Sequence, residues 1–135
     1  MKVFCKLFVN EGFKEMNSIK VVIGGTRYFN DYELLCSFVD KCLVNQKDKV
    51  ITIISGGCRG TDKLGERYAK DRGYNLEVFN ADWDRYGKKA GVLRNEEMVK
   101  NADYIIAFWD GVSPGTFNLL SLAKRYGKPF RLKRY

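Results

Sequence analysis

The sequence predicts an α/β domain, doubly wound, on a mostly parallel sheet of about five strands. Short apolar runs alternate with helix-like segments from Ile19 onward, and those runs are continuously apolar. A strand covered by helices on both faces is apolar throughout, whereas a half-exposed strand alternates with period two. Length agrees: 135 residues suffice for one core without disulfide or metal staples.

The strand candidates are Ile19–Gly24, Val50–Ser55, Leu76–Phe79, Tyr104–Trp109 and Phe130–Leu132. Four helices fall between them. In Asp31–Asn45, residues Leu34, Leu35, Phe38, Val39, Cys42 and Leu43 form one apolar face, and Asn30 followed by Glu33 gives a capping-box-like start. Thr61–Arg72 stops at Gly73, which favours a left-handed cap. A third helix covers Lys89–Asn101, and a fourth runs from Thr116 to Tyr126 before Gly127-Lys128-Pro129 stops it. One long loop, 80–88, separates the third strand from the third helix.

Right-handed crossovers put strands two and three on one side of strand one, and strands four and five on the other. Ligands in such sheets bind beyond the carboxyl ends of the strands where the order reverses, here between the strands ending at Gly24 and Trp109. Residues 1–18 stand outside the alternation as an N-terminal extension, and Lys2–Val9 suits an edge strand or a short helix equally. Residues 19–135 form the domain proper.

Composition excludes several chemistries. There is no histidine, which removes Ser-His-Asp and Cys-His catalysis and His-liganded zinc. The four cysteines form no C-x-x-C pair. No metal or cofactor is expected. No apolar run approaches the ~20 residues of a membrane span, and no signal-peptide pattern opens the chain, so the expected location is the cytoplasm. With 24 basic and 16 acidic residues the net charge is +8, which favours anionic partners, among them phosphates, nucleotides and nucleic acid.

Three strands end in glycines and small polar residues: Gly24-Gly25-Thr26-Arg27, Ser55-Gly56-Gly57-Cys58-Arg59-Gly60-Thr61-Asp62, and Asp110-Gly111-Val112-Ser113-Pro114-Gly115-Thr116. Glycines let backbone N–H groups approach an anion, and helix starts add unpaired donors and partial positive charge. Arg27 and Arg59 complete a phosphate cradle at one rim. Neither a Walker A nor a G-x-G-x-x-G motif is present. Asp62, in a helix's first turn, suits either capping or a ribose hydroxyl. Arg94-Asn95 lies in the third helix beside Glu96 and Glu97, and its guanidinium suits a phosphate clamp or a pair with a neighbouring Glu. Trp83 and Tyr86 occupy the long loop, where an aromatic either stacks on a base or plugs the core.

These segments together resemble the SLOG superfamily, named for Smf/DprA and LOG proteins, and within it the small YspA-type single-domain members. The resemblance runs over residues 19–132. It is carried by Gly24-Gly25-x-Arg27-x-Phe29, Ser55-Gly56-Gly57-x-Arg59-Gly60-x-Asp62, Ala81-Asp82-Trp83-x-x-Tyr86-Gly87, Arg94-Asn95-x-x-Met98, and Ala107-Phe108-Trp109-Asp110-Gly111-x-Ser113-x-Gly115-Thr116. It implies a Rossmann-like three-layer sandwich that binds a nucleotide or nucleotide-derived ligand. In LOG-type enzymes the counterpart of Arg94 helps cleave the base–ribose bond, and a Gly-Thr-x-x-Glu segment supplies the acid. Here that segment reads Gly115-Thr116-Phe117-Asn118-Leu119, so Leu119 stands in the place of the Glu.

The leading expectation is a sensor or carrier module for a nucleotide or ADP-ribose-like ligand. Its phosphates lie at the helix starts Gly60–Asp62 and Gly115–Thr116, its ribose on Asp62, and its base by Trp83 or Tyr86. The alternatives are an N-glycosidic hydrolase, drawing on Arg94 and on Asp82, Asp84 or Asp110, and a single-strand nucleic-acid binder of the DprA kind. By analogy with the superfamily, a homo-oligomer is expected.

Overall fold

The structure is a computed structural model that describes residues 17–135. The expectations for residues 1–16 therefore lie outside the described residues. Five strands, β1 (Ser18–Gly25), β2 (Val50–Ser55), β3 (Asn75–Val78), β4 (Tyr104–Trp109) and β5 (Phe130–Arg134), form one sheet in the order β3-β2-β1-β4-β5. Every pairing is parallel, so the mostly parallel sheet expected from the sequence is parallel throughout the described residues. Five α-helices connect the strands: α1 (Tyr32–Cys42), α2 (Thr61–Arg72), α3 (Trp83–Tyr86), α4 (Ala90–Asn101) and α5 (Pro114–Arg125).

The two sheet faces are buried under different helices but are equally dry. Val21, Ile23, Ile51, Ile53, Ile106 and Phe108 point to one face and pack against Leu35 and Val39 of α1 and Tyr68 and Ala69 of α2. Val22, Ile54 and Ile105 point to the other, under Met98 and Val99 of α4 and Leu119, Leu122 and Ala123 of α5. Adjacent strand residues thus serve opposite cores, which is why the strands are continuously apolar. Each fully buried Val, Ile or Phe contributes about 1.5–3 kcal/mol relative to exposure. Across the first face, Asp40 of α1 accepts hydrogen bonds from Tyr68 (2.6 Å) and Arg72 (2.8 and 3.2 Å) and ties α1 to α2.

Several local details correct the expectations from sequence. The start of α1 is capped by Asp31, whose carboxylate accepts from Leu34 N–H at 3.0 Å, and not by Asn30. That helix ends at Cys42 and only a 3₁₀ turn, Val44–Gln46, continues it. The long loop holds the one-turn helix α3, capped by Asp82 through Arg85 N–H at 3.2 Å, and a second 3₁₀ turn over Gly87–Lys89. The fourth long helix starts at Pro114, two residues early, because proline is favoured in a first turn. Gly73 does close α2 in the left-handed region, at φ 71° and ψ 26°.

Two glycines fix how closely the layers meet. Gly25 pairs with Phe108 across β1 and β4, and a Cβ there would collide with the Phe108 carbonyl oxygen, which instead accepts Thr26 N–H at 2.9 Å. At Gly65 a Cβ would sit 2.9 Å from Ile23 Cγ2, so α2 lies directly on β1 and brings its N-terminal turn to the strand end. Gly25→Ala is expected to lower the unfolding free energy by about 2–3 kcal/mol, a typical overpacking cost, measured by urea denaturation.

Candidate functional site

A cleft of about 370 Å³ opens beyond the carboxyl ends of β1 and β4, at the point where the strand order reverses. Gly24 and Gly25 end β1 at its rim, and Arg27 and Tyr28 follow the strand into it. Cys58 and Asp62 enter from the β2–α2 connection, Arg94, Asn95 and Met98 from α4, and Ser113 to Thr116 with Leu119 from α5. Met98 and Leu119 are buried and make part of the wall apolar.

Asp62 is the buried carboxylate of the cleft. Its Oδ2 accepts Cys58 N–H at 3.1 Å, so it braces the loop before its own helix. The N-cap of α2 is Gly60, at φ 78°, where a side chain would strike the Arg27 backbone. Burial pushes the Asp62 carboxyl up to about 6; the Cys58 N–H, Arg94 and Arg27 pull it back, and Glu66 adds to the rise. A carboxyl so shifted by burial in a cleft is a candidate functional position.

Arg94 stands over this carboxylate. Its guanidinium donates through Nη1 to the Gly56 carbonyl, through Nε to Asn95 Oδ1 at 3.1 Å, and weakly through Nη2 to Cys58 Sγ at 3.7 Å. No Glu of α4 pairs with it among the described residues; its hydrogen-bond acceptors are neutral, and its charge acts on the neighbouring Asp62 carboxylate. Asn95, itself buried, donates to Asn118 Oδ1 at 2.9 Å and to the Gly115 carbonyl at 3.3 Å, which locks α4 to the first turn of α5.

The first turn of α5 is open. Ser113 gives it no side-chain cap, and the N–H groups of Gly115 and Thr116 have no hydrogen-bond acceptor among the described residues. The turn before it is held by Asp110, whose Oδ1 accepts from Val112 N–H (2.9 Å) and Ser113 N–H (2.8 Å) and whose Oδ2 accepts from Ser113 Oγ (2.8 Å). Those backbone bonds hold its carboxyl below the usual carboxylate range. The start of α2 is different: Thr61 donates to the Thr26 carbonyl through both N–H (3.2 Å) and Oγ1 (2.9 Å), so it ties two loops together.

The sequence model of the YspA, cpYpsA-related SLOG family matches residues 19–86. The chain belongs to this family. It is also similar to the Gene 61 protein of Mycobacterium phage D29, with 36% identity over 116 residues, covering 82% of this chain and 92% of that protein. No solved structure matches. Membership of the SLOG family makes the chain a Rossmann-like, nucleotide-related module. Among the described residues no helix is long and apolar enough to cross a membrane.

Of the residues the sequence singled out in this SLOG domain, Gly24, Gly25, Arg27, Asp62, Arg94, Asn95, Gly115 and Thr116 line the cleft together. Ser55, Gly56, Gly57 and Gly60 support it from behind: Ser55 Oγ donates to Glu66 Oε2 at 2.7 Å and accepts Gly57 N–H at 3.0 Å. Arg59 does not line the cleft; its Nη2 donates to Tyr28 OH at 3.0 Å. Trp83 is half-exposed and packs over Gly91, while Tyr86 and Asp82 border a separate cavity. Tyr28, 78% exposed at the cleft mouth, is the aromatic that sequence reasoning missed. Its signal was its place directly after Gly-Gly-Thr-Arg, on the loop that leaves β1.

The raised Asp62 carboxyl sets a pH dependence. The folded chain keeps a proton there that the unfolded chain has released, so this contribution to stability is full below pH ~4 and lost as pH rises to about 6. Asp62→Asn should therefore stabilise the protein above pH 6 by about 2–3 kcal/mol, since each tenfold change in proton affinity is worth roughly 1.4 kcal/mol. The advantage should vanish below pH 4, as followed by urea denaturation across that range.

Proposed function

We propose that the cleft binds a nucleotide or a nucleotide-derived, ADP-ribose-like ligand, and that the protein works as a sensor or carrier module. The observation that carries this reading is the meeting, at one switch point, of two guanidinium groups without an ion pair and the open first turn of α5. Arg27 has no hydrogen-bond or ion-pair partner among the described residues, and Arg94 is held in place by neutral acceptors. A phosphate against Gly115 and Thr116 N–H gains donors and the positive helix end, with Arg94 and Arg27 closing on its outer oxygens. Asp62 then accepts a ribose hydroxyl, and the Tyr28 ring, steadied by Arg59, flanks the base.

Gly115 separates this role from a structural one. A Cβ there meets nothing within 4 Å, so no packing among the described residues requires glycine. Gly115→Ala is expected to keep stability or raise it by up to about 1 kcal/mol, as alanine does in a helix, while filling the phosphate position. Arg94→Ala removes charge-assisted hydrogen bonds of about 1.5–3 kcal/mol, roughly 10–100-fold in affinity. Calorimetric titration with mononucleotides and dinucleotides measures both, and unchanged affinity in both variants contradicts the reading.

One observation favours a second reading, hydrolysis of the base–ribose bond. Asp62 titrates at about 6 inside the cleft, in the range where a carboxyl delivers a proton at neutral pH. The acid is then Asp62; Asp110 is engaged in its turn, and Asp82 caps α3 outside the cleft. Release of free base from a panel of nucleoside monophosphates, abolished in Asp62→Asn, is the expected result. A flat trace for every monophosphate leaves the binding module alone.

A further inference from the structure

Among the described residues β5 is an edge of the sheet, and its backbone hydrogen bonds run to one side only. Pro129 accepts Ile105 N–H at 3.0 Å and Tyr135 donates to the Trp109 carbonyl at 3.4 Å, so the odd-numbered residues face β4. Backbone groups of a strand alternate in direction from residue to residue. The N–H and C=O groups of Phe130, Leu132 and Arg134 therefore point outward, with no partner among the described residues. Side chains alternate between the two faces as well. Arg131 and Lys133 lie on the α1 side, Arg131 beside Cys42 and Tyr104, and Lys133 with its ammonium 6.0 Å from the Phe38 ring centre. Phe130 and Leu132 lie on the α5 side, where Phe130 packs against the second core.

Charge is segregated onto this edge. Residues 111–135 hold six basic side chains, Lys124, Arg125, Lys128, Arg131, Lys133 and Arg134, and no acidic one, so they supply most of the net charge of +8. Arg131, Lys133 and Arg134 form no ion pair among the described residues; Arg134 lies instead over the Trp109 ring, 5.7 Å from its centre. At the opposite edge the one carboxylate of β3, Glu77, is bound by Lys20 of β1 at 3.0 Å. A basic edge strand repels a second copy of itself and accepts a strand of opposite charge. The phosphates of a nucleic acid would face the outward carbonyl oxygens as well as the N–H groups, whereas a peptide strand satisfies both.

We propose that β5 is a docking edge for an extended acidic segment of another protein, which adds to the sheet as a sixth strand. Its carboxylates, at every second position, meet Arg131 and Lys133 on the α1 side. Its intervening residues are apolar and lie beside Phe130 and Leu132. Main-chain hydrogen bonds then give affinity, and the alternating side chains give selectivity. No residue of β5 lines the cleft, so this inference does not depend on what the cleft binds.

The test is a titration of the full chain with a labelled peptide of about eight residues, alternating Glu and Val, read by fluorescence anisotropy and by ¹⁵N–¹H correlation. N-methylation of one alternate set of its residues should weaken binding about 10-fold or more, and N-methylation of the other set should be tolerated, because only one set faces β5. The amide signals of Phe130, Leu132 and Arg134 should move further than those of Arg131 and Lys133. Arg131→Glu/Lys133→Glu should lower the affinity about 10-fold or more. Arg131→Glu alone, at an exposed position, should lower it in the same direction if the double variant does not fold. No binding of the Glu-Val peptide, indifference to N-methylation of either set, or tighter binding of a single-stranded oligothymidine than of the peptide overturns the inference.

Discussion

The cleft is organised around a carboxylate taken out of water. Asp62 reaches its position because three backbones converge: β1 against β4 at Gly25, α2 against β1 at Gly65, and the β2–α2 connection against Arg27 at Gly60. Its carboxylate is held by a backbone N–H of its own loop, and nearby guanidinium groups offset only part of the cost of burial. A core that sought stability alone would place an amide or an apolar group there. The charge is held at neutral pH at a cost to stability, as a carboxylate taken out of water requires.

Around that carboxylate, the division of labour among the loops follows from where hydrogen bonds are already satisfied. Thr61 binds the Thr26 carbonyl, so the start of α2 acts as a brace. Ser113 leaves the start of α5 uncapped, so the Gly115 and Thr116 N–H groups have no acceptor among the described residues. Arg94 is steadied by the Gly56 carbonyl and by Asn95, and Asn95 in turn holds α5. A guanidinium fixed by neutral groups is already oriented, and under the proposed nucleotide reading it would lose little side-chain entropy on meeting a phosphate.

The fold was legible because parallel strands buried on both faces announce themselves as unbroken apolar runs, and the strand order followed from handed crossovers alone. The place of the cleft was legible for the same reason. What the sequence concealed was the direction of side chains. Tandem glycine loops look alike on paper, yet one helix start is engaged by a neighbouring carbonyl and the other is open. Trp83 and Tyr86 sat in an apparent loop whose single helical turn carries them away from the cleft, while Tyr28 faces it. Asp31 in place of Asn30 as the cap of α1 is a one-residue ambiguity between two equally good capping types.

The most direct measurement is a ¹⁵N–¹H correlation titration of the full chain with ADP and with AMP. The account predicts that the amide signals of Gly115 and Thr116 move first and furthest, together with the Arg94 side-chain signals, and that Arg94→Ala suppresses these shifts. Signals that move instead along the basic edge strand β5, at Arg131, Lys133 and Arg134, or no movement at millimolar nucleotide, contradict it.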